Sequence, residues 1–106
     1  MGRAVIVESW PVDAGARTPA QRKAFEQPEI TLGRSAQADF VLDSARVSRL
    51  AIRLCVTDES LVLVDDSEEG SLIDGVHGHG RRPLREGAEF RIGPYGLRVR
   101  DVPPRP

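Results

Sequence analysis

The chain contains one cysteine, Cys55, so it cannot build a disulfide framework of its own. A lone thiol fits a reducing compartment, and the expected location is the cytoplasm. Net charge is also lacking: 15 basic and 16 acidic residues leave -1. A general nucleic-acid binder relies on a basic excess, so that class is set aside. Long apolar runs are missing too. The longest are about four residues, against roughly 20 for a membrane-spanning helix, so neither membrane insertion nor a signal peptide is expected.

What remains is an ordinary globular composition, 40% hydrophobic and 29% charged over 106 residues. That length makes one domain and buries about two thirds of the unfolded surface without help from a metal. The Pro-rich end, Val102-Pro103-Pro104-Arg105-Pro106, has few ladder donors to offer a sheet. It is expected to be a terminal extension or the start of a linker, which leaves residues 1–101 as the domain. The linker reading would make the chain part of a larger protein.

Ten glycines and eight prolines divide the chain into short segments. Leu50 to Thr57 alternates, with Leu50, Ile52, Leu54 and Val56 on one face, the period of a half-buried strand. Ala4–Glu8, Ile30–Leu32, Phe40–Leu42, Phe90–Ile92 and Leu97–Val99 are further apolar pieces. Leu61–Val64 is continuously apolar, as in a strand buried on both faces. Short strands at such spacing predict an all-β sandwich or barrel. One segment disagrees. Thr18-Pro19-Ala20-Gln21 reads as a helix start, but Pro28 limits the helix to two turns. Locally, helix and strand are equally supported there.

Enzyme signatures are weak. No Gly-x-Ser-x-Gly elbow supports a catalytic triad, no Gly-rich loop opens a helix for a nucleotide, and Cys55 lies mid-strand as a packing residue. No catalytic residue, cofactor or metal is expected. His77 and His79 could begin a metal site, but no third ligand is close in sequence, and their Gly-rich surroundings read as a loop. The acidic run Asp65-Asp66-Ser67-Glu68-Glu69 reads as a solvated turn, as does the basic cluster Arg81, Arg82 and Arg85. Gly33-Arg34-Ser35 differs from these. It follows a short strand, and an Arg fork at a loop rim suits a carboxylate or phosphate. Val47-Ser48-Arg49 and Gly70-Ser71 also sit at loop-strand junctions. If the three loops meet, they form an anion site at one end of a sandwich.

The order of these segments resembles the forkhead-associated (FHA) domain, a β-sandwich of about eleven strands that reads phosphothreonine peptides. Gly33-Arg34-Ser35, Asp39-Phe40-Val41-Leu42 and Val47-Ser48-Arg49 match its motifs, with Ala51 at the position of a His. Ser67-Glu68-Glu69-Gly70-Ser71 matches with Glu69 for Asn and Ser71 for Thr, and Leu72-Ile73-Asp74-Gly75 follows in frame. Leu84-Arg85-Glu86-Gly87-Ala88-Glu89-Phe90-Arg91-Ile92-Gly93 completes the series with Ala88 for Asp.

The resemblance implies two twisted sheets and favours a strand around Arg22–Glu26. It implies a phosphopeptide site of Arg34, Ser48, Arg49, Glu69, Gly70 and Ser71, with Arg34 and Ser48 on the phosphate. It implies a protein partner in a signalling or secretion assembly. Glu69 is the main departure. An ionised carboxylate cannot donate to a peptide carbonyl, a loss of roughly 1–3 kcal/mol. At roughly 8 Å from a phosphate it adds about 1–4 kcal/mol of repulsion, depending on the dielectric. The alternative is an FHA-fold scaffold that docks an unphosphorylated partner.

Overall fold

The structure is a computed structural model that describes residues 3–14 and 20–102. It is all-β, with eleven strands in two sheets and no α-helix among the described residues. The six-stranded sheet contains β2 (Gln21–Phe25), β1 (Val5–Pro11), β11 (Tyr95–Asp101), β10 (Glu89–Ile92), β7 (Ser71–Ile73) and β8 (Val76–Gly78), in that order. The five-stranded sheet is ordered β4 (Phe40–Val41), β3 (Glu29–Gly33), β5 (Ile52–Val56), β6 (Leu61–Asp65) and β9 (Gly80–Leu84).

Period-two alternation puts one face of each sheet into a shared core. Val5 and Val7, Ile30 and Leu32, Ile52 and Leu54, Leu61 and Leu63, Phe90 and Ile92, and Leu97 and Val99 fill it. Burying each of these side chains stabilises the fold by roughly 1.5–3 kcal/mol. The outer face of the larger sheet carries a buried carboxylate, Glu8, neutralised by Arg98 and Arg100 at 3.1 Å and Arg22 at 3.6 Å. Pro83 is tolerated because β9 is an edge strand, where a missing donor costs no ladder bond.

Several expectations are corrected. Leu50 is 43% exposed and lies outside the core. The alternation fails there because β5 begins only at Ile52, after a turn closed by the Ala51 N–H on the Ser48 hydroxyl. In β6, Val62 is only half-buried. Asp65 and Ser67 are buried rather than solvated, because the Asp65 carboxylate accepts from both the Ser67 amide and hydroxyl. The Gly-rich stretch around His77 is not a loop but a hairpin, β7–β8, that turns at Asp74-Gly75. Residues 21–25 form a strand because pairing from Val5↔Phe25 to Ser9↔Gln21 satisfies their backbone along β1. The helix cap read at Thr18-Pro19 and the tail from Pro103 to Pro106 lie outside the described residues.

Strand register determines which loops meet. β5 opens opposite the end of β3, at Leu32↔Ile52, and opposite the end of β6, at Ile52↔Asp65. In the other sheet Leu72 of β7 faces Arg91, close to the β10–β11 turn. The β3–β4, β4–β5, β6–β7 and β10–β11 connections therefore all contribute to one end of the sandwich.

Candidate functional site

These connections enclose a cleft of about 770 Å³. One wall is built from the β3–β4 and β4–β5 loops and carries Arg34, Arg46, Val47, Ser48 and Ala51. The second is the β6–β7 loop, with Asp66, Glu68, Glu69 and Gly70.

The first wall is held by main-chain contacts. The Arg34 amide donates to the Ser48 carbonyl at 3.0 Å, and the Ser35 amide to the Arg49 carbonyl at 3.2 Å. Gly33 makes this approach possible. A Cβ there would stand 2.0 Å from the Arg49 carbonyl oxygen, so no larger residue fits. Arg34 then bridges the loops with its side chain, donating from Nε to the Val47 carbonyl at 3.0 Å. Its terminal nitrogens have no hydrogen-bond partner among the described residues, and the residue is exposed. The Ser48 oxygen accepts the Ala51 amide at 3.1 Å, which leaves its hydroxyl proton to donate elsewhere.

Asp39 anchors the same wall from beneath. Its carboxylate accepts the Thr31 amide at 2.9 Å and the Thr31 hydroxyl at 3.1 Å, and its own amide donates back to that hydroxyl at 2.8 Å. The Thr31 amide bond is the main reason its carboxyl titrates below the usual aspartate value. Partial burial opposes the shift; the Thr31 hydroxyl, the Gln27 side chain and the Lys23 charge reinforce it.

The second wall is held by side chains. Asp65 ties Ser67, and the Ser67 hydroxyl accepts the Gly70 amide at 3.1 Å. His77 Nε2 lies 2.8 Å from the Glu69 carbonyl, and His79 Nε2 lies 3.0 Å from the Glu68 carbonyl. Behind them, Arg82 donates to the Ser71 and Gly78 carbonyls at 2.7 and 3.2 Å and to the Val76 carbonyl at 2.9 Å.

Of the six residues singled out by sequence, Arg34, Ser48, Glu69 and Gly70 line the cleft. Arg49 and Ser71 are not among its lining residues. Arg49 is exposed on the neighbouring loop, and its carbonyl supports the first wall. Ser71 is buried, with its hydroxyl accepting from Arg82 at 2.6 Å. Arg46, His77 and Arg91 also line the cleft and were not singled out for it. Arg91 had a readable signal, as the polar residue between Phe90 and Ile92. Arg82, read as solvated, is half-buried and bonded to three carbonyls. No cluster of metal-ligating residues occurs among the described residues.

The family model for the FHA domain matches residues 30–93, so the chain belongs to the FHA domain family. An FHA domain analysed for phosphothreonine-dependent interactions superposes with a TM-score of 0.76 and 22% identity, over 94% of this chain and 98% of its own. The FhaA FHA domain, in complex with the intracellular domain of Rv3910, superposes at 0.74 and 22%, covering 91% and 99%. EmbR of Mycobacterium tuberculosis, in complex with a low affinity phosphopeptide, superposes at 0.75 and 20%, over 95% of this chain but 26% of its own. At these identities the likeness is one of fold. No curated protein matches the chain.

Proposed function

We propose that this domain binds phosphothreonine-containing peptides of a protein partner in a signalling or secretion assembly, with a specificity altered by its acidic second wall. The observation that carries this reading is Arg34. Its Nε is fixed on the Val47 carbonyl, its terminal nitrogens have no hydrogen-bond partner among the described residues, and it lines the cleft together with Ser48. A phosphate with close to two negative charges takes a guanidinium fork as two charge-assisted hydrogen bonds. The Ser48 hydroxyl supplies a third donor. Arg46 and Arg91, in the same cleft, raise the local positive potential.

On the second wall the Glu69 carboxylate accepts rather than donates, so it meets a peptide N–H or a basic side chain instead of a carbonyl. Arg49 and Ser71 support the two walls from outside the cleft. The role is recognition, with no catalytic residue assigned and no cofactor.

A second reading, phosphate-independent docking of a protein partner, is favoured by Asp66, Glu68 and Glu69 in the same cleft. One experiment separates the two. A threonine peptide from a candidate partner is titrated in phosphorylated and unphosphorylated form against the wild type and Arg34→Ala. The phosphoreader binds the phosphorylated form more tightly and loses that preference in the variant. Equal binding of both peptides, with Arg34→Ala silent, overturns the phosphothreonine reading and supports the scaffold.

A further inference from the structure

We infer that His77 and His79 are positioning residues of the cleft: their Nε2–H groups hold the Glu69 and Glu68 carbonyls and so fix the Glu68–Gly70 rim. The ligand side of this inference rests on the phosphothreonine reading; the clamp itself does not.

The clamp starts from strand geometry. His77 lies in β8 opposite Leu72, and His79 stands two residues on, between β8 and β9. Their centroids are 5.3 Å apart and their planes cross at 88°, an edge-to-face pair. A carbonyl can only accept, so each ring nitrogen at the contact carries its proton. Two consecutive carbonyls of a loop eight to eleven residues away in sequence are thereby taken by two rings, one on β8 and one just past it.

Gly70 shows how closely the rings pack on the rim. A Cβ there would stand 2.7 Å from His77 Nε2 and 2.9 Å from His79 Nε2. The support extends further back. Arg82, on β9, ties Ser71, Val76 and Gly78 together and so sets where the rings originate. Fixed contacts thus run from β9 through the hairpin and the imidazoles to the rim.

The clamp has a consequence for recognition. With the Glu68 and Glu69 carbonyls occupied, and the Gly70 amide spent on Ser67, this rim meets a peptide chiefly through the Glu68 and Glu69 side chains. His77, which itself lines the cleft, completes that edge.

The test compares the wild type with His77→Ala/His79→Ala and with His77→Gln/His79→Gln. A Gln amide nitrogen sits as many bonds from Cβ as His Nε2 does, so the Gln pair keeps the donors without the rings. Two quantities are measured: hydrogen exchange at the Gly70 amide without peptide, and affinity for a phosphothreonine peptide. The Ala pair is expected to speed Gly70 exchange about tenfold, since local opening sets that rate. It is expected to weaken the phosphopeptide about fivefold, the size of one lost hydrogen bond. The Gln pair is expected to restore both.

Unchanged Gly70 exchange in the Ala pair overturns the clamp. Faster exchange that Gln does not restore overturns the donor role. Exchange that responds while phosphopeptide affinity stays constant overturns the link to binding. A wild type that ignores the phosphate overturns the phosphothreonine reading alone, and the exchange data still decide the clamp.

Discussion

The two walls of the cleft are held in place by opposite means. The wall carrying Arg34 is held mainly backbone to backbone, through Gly33, Ser48 and Arg49, with one carboxylate beneath it. The wall carrying Glu69 is held by side chains, with Asp65, His77, His79 and Arg82 gripping its amides and carbonyls. Main-chain contact fixes a position tightly and tolerates no substitution at the point of contact. Side-chain contact can be rewritten residue by residue while the fold stays. The departures from the FHA pattern within the cleft lining fit that division. Glu69 lies on the side-chain wall, and Ala51, on the main-chain wall, contributes through its amide and carbonyl.

The largest effect that tests this contrast is on stability. Gly33→Ala drives a methyl into the Arg49 carbonyl, a backbone atom that cannot swing away. It is expected to cost about 3 kcal/mol or more. Gly70→Ala must adopt a φ of 75° and meets the Gly78 carbonyl at 2.8 Å, a shallower overlap with backbone than the 2.0 Å at Gly33, and the imidazole nitrogens at 2.7 and 2.9 Å can turn aside. A cost of about 1–2 kcal/mol is expected there. Denaturant titration of both variants checks the order, and a Gly70 variant less stable than the Gly33 variant would break the comparison.

Next comes Arg34→Ala, which removes the phosphate's main charge partner while leaving the backbone contacts of its wall. Affinity for the phosphorylated peptide is expected to fall at least about a hundredfold, or about 2.7 kcal/mol. Arg34→Lys keeps the charge but loses the fork, and it is expected to fall between that variant and the wild type. Calorimetric titration at one fixed salt concentration measures both. A Lys variant equal to the wild type would mean that the cleft uses only charge.

The same contrast explains what could be read from the sequence. Alternation in Ile52-Arg53-Leu54-Cys55-Val56 and in Phe90-Arg91-Ile92 identified core strands directly, because burial on one face writes itself into neighbouring residues. Leu50 misled because the turn that excludes it depends on Ser48 and on the end of β3, which are tertiary facts. The helix formers among residues 21–25 were a local signal, and the pairing of that segment with β1 outweighed it. In the cleft, Arg34 and Ser48 could be found because each sits in a short motif on the main-chain wall. His77, His79 and Arg82 could not be found in that way. They act on loop carbonyls remote in sequence, and a carbonyl leaves no mark on residue identity.

Glu69→Asn rewrites the side-chain wall without disturbing its clamp, since His77 holds the Glu69 carbonyl rather than its carboxylate. It restores an amide donor and removes a charge of the same sign as the phosphate. Affinity for the phosphothreonine peptide is expected to rise at least about tenfold, or about 1.4 kcal/mol. The gain should shrink between low and high salt, because the charge contribution is screened and the hydrogen bond is not. A gain independent of salt would assign the effect to the amide alone. A loss of affinity would mean that the carboxylate is itself a ligand contact, for example with a basic residue of the peptide.

The smallest effect tests the anchor of the Arg34 wall by pH. Asp39 holds the base of the Arg34 wall through Thr31, and that bond keeps its carboxyl below the usual value. A depressed carboxylate contributes stability that is present above its unfolded value of about 3.9 and is lost as pH falls through the lower folded value. The wild type is therefore expected to lose its advantage over Asp39→Asn as pH drops below about 4, because protonated aspartic acid and asparagine are both neutral. Over the same range, exchange at the Thr31 amide, which donates to Asp39, is expected to lose protection in the wild type. Melting temperatures of the two proteins at several acidic pH values, with exchange read at the Thr31 amide, test this. If the gap between wild type and Asp39→Asn stays constant through the acid range, the Asp39 charge is not what anchors the wall. If the Thr31 amide keeps its protection through the same range, its bond to the Asp39 carboxylate is not what holds the wall.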